Sequence, residues 1–324
     1  MMRGESMPKK ILFRLLAGAG ILFLFPGCDR DAAYQRIDFS KTLAVEKKSP
    51  SRSGGRELRV AVAAMISPKE TFIHYKQLID YIADRSGRRV RLIQRKTYEE
   101  VNVLFPKRQI DLAFICTGPY AAAKDKYGFE AIATPVIRGA PFYQSYLIVN
   151  KDSPYQGLED LRGRVFAFTD PDSNTGALVP RFWIYEMGDS ADRFFSDIKY
   201  TFSHDNSILA VAKGLVDAAA VDGHKWEFYN LKNSEFTSRT RVIKKSKLLG
   251  SPPFVASVHM AKDLKNRIQK IVLAMHETPE GQRILNELMI DRFAAPKEEW
   301  YRPVREMVEV LNARENSPLA SHES

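Results

Sequence analysis

Ser173, Asn174 and Thr175 are the residues of this chain best placed to do chemistry. They stand in Asp170-Pro171-Asp172-Ser173-Asn174-Thr175-Gly176, after an apolar run (165–168) that reads as a strand and before residues 177–185, which read as a helix. The first amides of a helix have no intrahelical acceptor, and the macrodipole adds roughly half a positive charge there. Small side-chain donors on the same turn, with Gly176 allowing close approach to the backbone, suit a tetrahedral oxyanion. The plainer reading is an ordinary N-cap, because Asp, Ser, Asn and Thr all cap helices well.

Other polar residues recur at expected strand-to-helix junctions. Tyr98 follows a strand at 90–94, and Thr117-Gly118-Pro119-Tyr120 follows one at 111–116. His204-Asp205 follows a strand at 198–202, Asp222-Gly223-His224 follows one at 216–221, and Tyr143 lies in a long strand at 142–150. Ligands of open α/β sheets bind at the carboxyl ends of strands, where these groups fall. Each also has a structural reading. Asp205, Asp222 and Ser67 are good N-caps, Tyr98 and Tyr120 can cover core edges, and His204 can be a loop histidine.

Several chemistries lack their signatures. The six histidines show no H-E-x-x-H spacing, and no Cys-x-x-Cys, G-x-S-x-G, Walker loop or G-x-G-x-x-G occurs. We therefore expect no metal, no cofactor and no catalysis. A net charge of +10 raises the question of nucleic acid, but the basic residues are scattered among acidic helices without a stripe of stacking aromatics. A solvated basic surface is expected instead.

The elements that must hold these residues alternate. Strands are expected at 58–65, 90–94, 111–116 and 130–136, with helices at 71–85, 98–107 (broken near Pro106) and 120–126 between them. The alternation restarts with strands at 164–169, 198–202, 216–221 and 242–248, and a helix at 206–213 closed by Gly214. A strand at 254–260 and three helices complete the chain. Two successive α/β units joined by two crossings, at 142–150 and near 251–254, predict an α/β fold of two lobes with two hinge strands and a ligand cleft between them. The expected organisation is lobe 1 at 58–149 and 253–314, and lobe 2 at 150–252.

The N-terminus reads as a targeting segment. Basic residues up to Arg14 precede an apolar run at 15–25 that is too short to span a bilayer and ends at Pro26-Gly27-Cys28. It resembles a bacterial lipoprotein signal peptide (1–27), which implies lipidation of Cys28; Asp29 resembles an inner-membrane retention signal. An uncleaved N-terminal anchor is the alternative. Residues 28–57 read as a flexible tether and 315–324 as a disordered tail. With Cys28 lipidated, Cys116 has no partner and is expected as a small core residue.

Three stretches together carry a wider resemblance: Met65-Ile66-Ser67-Pro68-Lys69-Glu70-Thr71, the Asp170–Gly176 turn, and His204-Asp205 leading to Val216-Asp217-Ala218-Ala219-Ala220-Val221-Asp222. They resemble the phosphate/phosphite/phosphonate-binding proteins of ABC transporters, a branch of the type II periplasmic binding proteins, over residues 58–311. The resemblance implies that Ser173, Asn174 and Thr175 hold an oxyanion, with Asn and Thr where the family has Thr and Ser. It further implies that His204, Tyr98, Tyr143 and Tyr120 are ligand contacts and that Asp222 is the acid of the phosphate- and phosphite-binding branch. The partners implied are a small phosphorus oxyanion, an ABC permease of the inner membrane and, through the lipid, the periplasmic face of that membrane (the cell surface in a Gram-positive bacterium). An ionised Asp222 only accepts hydrogen bonds, so it requires a P–OH proton that sulfate lacks near neutral pH. A sensor subunit reporting to a membrane histidine kinase, or an enzyme on the same scaffold, are the rival readings.

Overall fold

Alternating strands and helices build two sheets in the computed structural model, which describes residues 57–63 and 67–315. The expected leader, Cys28, the tether up to residue 56, Met65-Ile66 and the tail from 316 lie outside the described residues. The first sheet begins with β1 (Leu58–Val62), α1 (Pro68–Ser86), β2 (Val90–Ile93), α2 (Tyr98–Asn102), β3 (Leu112–Phe114), α3 (Thr117–Tyr127) and β4 (Phe129–Val136). α1 shows why such segments form. Pro68 sits in its first turn, Tyr75, Leu78, Ile79 and Ile82 fill one buried face, and Gly87 ends it at φ 66°, giving its amide to Asp84 O.

The chain then crosses through β5 (Phe142–Tyr143) into the second sheet. This holds β6 (Ser145–Asn150), β7 (Val165–Phe168), α4 (Val179–Glu186), α5 (Ala191–Phe194), β8 (Asp197–Tyr200), α6 (His204–Ala212), β9 (Ala218–Asp222), α7 (Gly223–Lys232) and β10 (Thr240–Lys245). It returns through β11 (Leu249–Gly250) to β12 (Phe254–Ser257), α8 (Lys262–Leu273), α9 (Pro279–Glu287), β13 (Arg292–Ala294) and α10 (Arg302–Glu315). The sheet orders are β13-β4-β12-β3-β1-β2 and β10-β6-β9-β7-β8. In each, the parallel strands (β2-β1-β3 and β9-β7-β8) send their carboxyl ends toward the connections that carry the polar residues.

The two crossings pair with each other. β5 and β11 form an antiparallel ladder, Tyr143 opposite Leu249 and Phe142 opposite Gly250, so the hinge is a two-stranded ribbon separate from both sheets. The single strand expected at 142–150 is thus two, parted at Gln144, with β6 wholly in the second sheet. Two further expectations change. The helix expected over 98–107 ends at Asn102 and continues as turns to Arg108, which takes a left-handed φ of 54°. The C-terminal segment, read as helices alone, also supplies β13, whose three residues are too few to show a period and which becomes a strand by pairing with β4.

Candidate functional site

The turn after β7 is closed by its own atoms. The Ser173 amide donates to Asp170 O (2.9 Å), the Asp172 amide to Asp170 Oδ1 (2.9 Å), and the Thr169 amide to Gly176 O (3.1 Å). Ser173 caps the helical segment, its Oγ accepting from the Gly176 amide at 3.0 Å, and Asn174–Leu178 winds as a wide π-type turn into α4. Gly176 is required by packing rather than by ligand approach. A Cβ there would lie 2.4 Å from Thr169 Oγ1 and 2.5 Å from Thr169 Cβ. Gly176→Ala is therefore expected to cost about 1–3 kcal/mol, read as a lower denaturant midpoint at constant slope. The amides expected to meet an anion are partly engaged, that of Gly176 by Ser173 and that of Asn174 by Cys116 Sγ at 3.4 Å. The donor set therefore rests more on side chains than the sequence suggested.

Thr169 also organises the histidine. Its carbonyl accepts from the Phe202 amide, and Phe202 takes a left-handed φ of 60°, a strained turn that leads into α6. His204 is the first residue of that helix, and its Nδ1 accepts from the Asp222 amide (3.1 Å) and meets Thr169 Oγ1 (3.2 Å). An Nδ1 that accepts leaves the proton on Nε2. Burial pushes the His204 pKa down to about 4, against the pull of Asp222. His204 is thus a neutral donor through Nε2 at physiological pH. Asp222 caps α7, Oδ1 accepting from the Lys225 amide at 3.2 Å, so its capping and its place beside His204 coexist.

The other lobe supplies two buried phenols. Tyr143, on the hinge, accepts from Asn174 Nδ2 at 2.8 Å. Tyr98, at the start of α2, gives its amide to Asp170 Oδ2 at 3.1 Å. Burial first, then the neighbouring Cys116 and Asp222, hold both phenols far above their usual pKa, so both stay protonated. Burial likewise pushes the Cys116 thiol up to about 12. Ser173, Asn174, Thr175, His204, Asp222, Tyr98 and Tyr143 are each at most 3% exposed. Tyr98 Oη, Asn174 Oδ1, Thr175 Oγ1 and Ser251 Oγ are buried without a hydrogen-bond partner. Leaving a buried polar atom unpaired costs about 1–3 kcal/mol, so these four atoms are the costly, unsatisfied groups among the residues singled out from the sequence and their neighbours.

Tyr120 is not brought into this group. Its hydroxyl donates to Glu298 Oε1, and its ring meets Tyr301 edge-on at 4.5 Å, which makes it the core-edge residue of the plainer reading. Asp205 is not the cap of α6 either. Ser203 holds that position, and Asp205 Oδ1 instead accepts from the Ser67 amide of the first lobe at 3.0 Å. Asp205–Ser67, Asp170–Tyr98, Asn174–Cys116 and the Arg138–Glu227 ion pair (2.8 Å) all cross the cleft, so the lobes are closed on each other. Sequence reasoning did not single out the side chains of Asp170, Cys116, Ser251 or Lys225, which the structure places beside Tyr98, Asn174 and Asp222. Only Lys225 left a signal, three residues beyond Asp222 on the first turn of α7. Among the described residues no group of three or more His, Cys, Asp or Glu could hold a metal ion, and no helix is long and apolar enough to cross a membrane.

This arrangement can be set beside known proteins. A family model described as "ABC transporter, phosphonate, periplasmic substrate-binding protein" matches residues 60–301. The chain belongs to that family. It is 29% identical over 206 residues to the phosphonates-binding periplasmic protein of Escherichia coli, covering 61% of this chain and 60% of that one. It is 26% identical over 188 residues to a probable ABC transporter phosphite binding protein of Prochlorococcus marinus, covering 52% and 61%. The chain thus spans about three-fifths of the length of these curated relatives. Among solved structures, a binding protein component of an ABC phosphonate transporter from Pseudomonas aeruginosa superposes with a TM-score of 0.74 at 24% identity, over 78% of this chain and 85% of that one. A Prochlorococcus marinus protein in complex with methylphosphonate gives 0.71 at 20% identity, over 79% and 98%. At these identities the likeness establishes the fold, which is the two-lobed type II periplasmic-binding-protein fold with two hinge strands.

Proposed function

We propose that the protein captures a phosphonate, phosphite or phosphate between its lobes and delivers it to an ABC permease, without chemistry on the ligand. The observation that carries this reading is a buried set of neutral donors (Ser173, Thr175, Tyr98, Tyr143 and His204 Nε2–H) beside two carboxylates, Asp222 and an Asp170 whose two oxygens already accept from the Tyr98 and Asp172 amides. Asn174 completes the set through its amide side chain. Family membership and the phosphonate and phosphite named for the relatives support the ligand class. The leader ending at Cys28 supports a lipid anchor at the periplasmic face of the inner membrane, or at the cell surface of a Gram-positive bacterium.

Asp222 gives this reading its sharpest consequence. A carboxylate beside an anion is tolerated when the ligand donates a P–OH proton, and sulfate has none near neutral pH. In calorimetric titrations, wild-type protein is expected to bind phosphite or methylphosphonate at least tenfold more tightly than sulfate, and Asp222→Asn should narrow that gap. Sulfate binding equal to that of every phosphorus ligand would remove the argument. A thermal-shift panel tests the wider reading, because a ligand at about 100 times its Kd adds roughly 2.7 kcal/mol to the native state.

A further inference from the structure

Asp222 also lines a small cavity, of about 40 Å³, together with Tyr75, His224, Lys225, Ser251 and apolar side chains such as Ile137 and Leu288. A substituent on a phosphorus atom held beside Asp222 would enter it. The single carboxylate, Asp222, already accepts from the Lys225 amide and stands opposite the Lys225 charge. The Lys225 ammonium donates to the Tyr75 hydroxyl of the first lobe at 3.2 Å, which fixes the cation across the cleft mouth when the lobes are closed. Burial works against that charge, but Tyr75 and Asp222 outweigh it and Lys225 stays protonated. His224, whose ring lies 6.2 Å from that of Tyr143, is pushed toward the neutral form by burial. Ser251 Oγ is fully buried and has no partner.

Resting on the oxyanion reading above, we infer that Lys225 sets substituent specificity: the cavity takes phosphorus oxyanions whose substituent is absent, uncharged or anionic, and rejects those carrying an ammonium group. An ammonium substituent entering this cavity would find no carboxylate other than Asp222, which on the reading above is taken by the ligand's own P–OH, and would meet the like charge of Lys225 in a partly buried site, where such repulsion is strong. A hydroxyl, a methyl group or a carboxylate meets no such opposition. A carboxylate would gain the Lys225 ammonium as a charge-assisted partner.

The test is a charge series on a two-carbon substituent: ethylphosphonate, 2-aminoethylphosphonate and phosphonoacetate, titrated into the wild-type protein with methylphosphonate and phosphite as references. The expected result is 2-aminoethylphosphonate bound at least tenfold more weakly than ethylphosphonate, and phosphonoacetate no more weakly than ethylphosphonate. Lys225→Met should bring the amino and ethyl ligands to within about threefold of each other, whereas Lys225→Arg should keep them apart. Equal binding of the amino and ethyl ligands by wild type overturns the inference, as does a gap that survives Lys225→Met while methylphosphonate still binds. Failure of all three two-carbon ligands alongside tight methylphosphonate binding also overturns it, because size rather than charge would then select. Should Lys225→Met bind nothing, the wild-type series still decides. Failure of every phosphorus ligand, including the references, would instead overturn the oxyanion reading itself and take this inference with it.

Discussion

Gly118→Val is expected to weaken ligand capture by about 10- to 100-fold while leaving each lobe folded. Gly118 is the second residue of α3, and a Cβ there would lie 2.7 Å from Asp172 O and 3.3 Å from the Asn174 amide nitrogen. Both atoms belong to the Asp170–Gly176 turn of the opposite lobe, and both are backbone, so no side chain can swing away. The absence of a side chain at 118 is what lets the first lobe close on that turn. Forcing atoms into a filled contact costs about 1–3 kcal/mol, and the whole of that cost falls on the closed state. A ligand that binds the closed state must then overcome it, which reduces apparent affinity by the same factor. Ligand-induced thermal shift and small-angle scattering measure the two halves of the claim: the shift should shrink and the ligand-dependent contraction should disappear. Wild-type affinity in Gly118→Val would show that the ligand does not need this closure. Gly118→Ala should give a smaller effect of the same sign.

The parts of the molecule that the sequence made legible are those decided locally. Val60, Leu112, Phe166 and Ala219 lie in short, largely apolar runs between turn residues, and each is fully buried in its strand. Gly214 ends α6 at φ 66°, as a glycine after a helical period should. The junction residues follow from the same alternation, which is why Ser173, His204 and Asp222 could be named together. What could not be read was decided across the cleft. Asp170 and Tyr98 are 72 residues apart and Asn174 and Cys116 are 58 apart, and no local pattern links either pair. Asp205 and Ser203 are both competent caps, and only the position of α1 in the other lobe leaves Asp205 for Ser67. Tyr120 failed for a related reason. Its loop lies at the expected strand end, but Glu298, 178 residues later, draws the hydroxyl away.

The buried histidine makes the stability of the protein depend on pH in a direction that can be worked out. In the unfolded chain His204 titrates near 6.5, and in the fold burial lowers its pKa to about 4. Between those values the unfolded state binds more protons than the folded one, so folding stability falls as pH falls. The contribution is fully present above about pH 6.5 and is lost progressively toward pH 4; two and a half units at 1.36 kcal/mol per unit give roughly 3 kcal/mol. His224, lowered by burial as well, adds to the slope with the same sign. Urea unfolding at a series of pH values is expected to show a plateau above pH 7 and a decline below it, and His204→Gln should flatten that decline at the cost of some stability at pH 7. Superimposed slopes for wild type and His204→Gln would mean that His204 is not held neutral. The same measurement at saturating ligand bears on function. A bound anion near Nε2 favours the imidazolium and raises the folded pKa, so the decline between pH 6.5 and 4 should become shallower with ligand than without it. Protonation at Nδ1 would cost the hydrogen bond from the Asp222 amide, which couples the charge on His204 to the position of Asp222. An unchanged slope would place the anion out of reach of His204 and leave the hydroxyls of Ser173, Thr175, Tyr98 and Tyr143 to hold it.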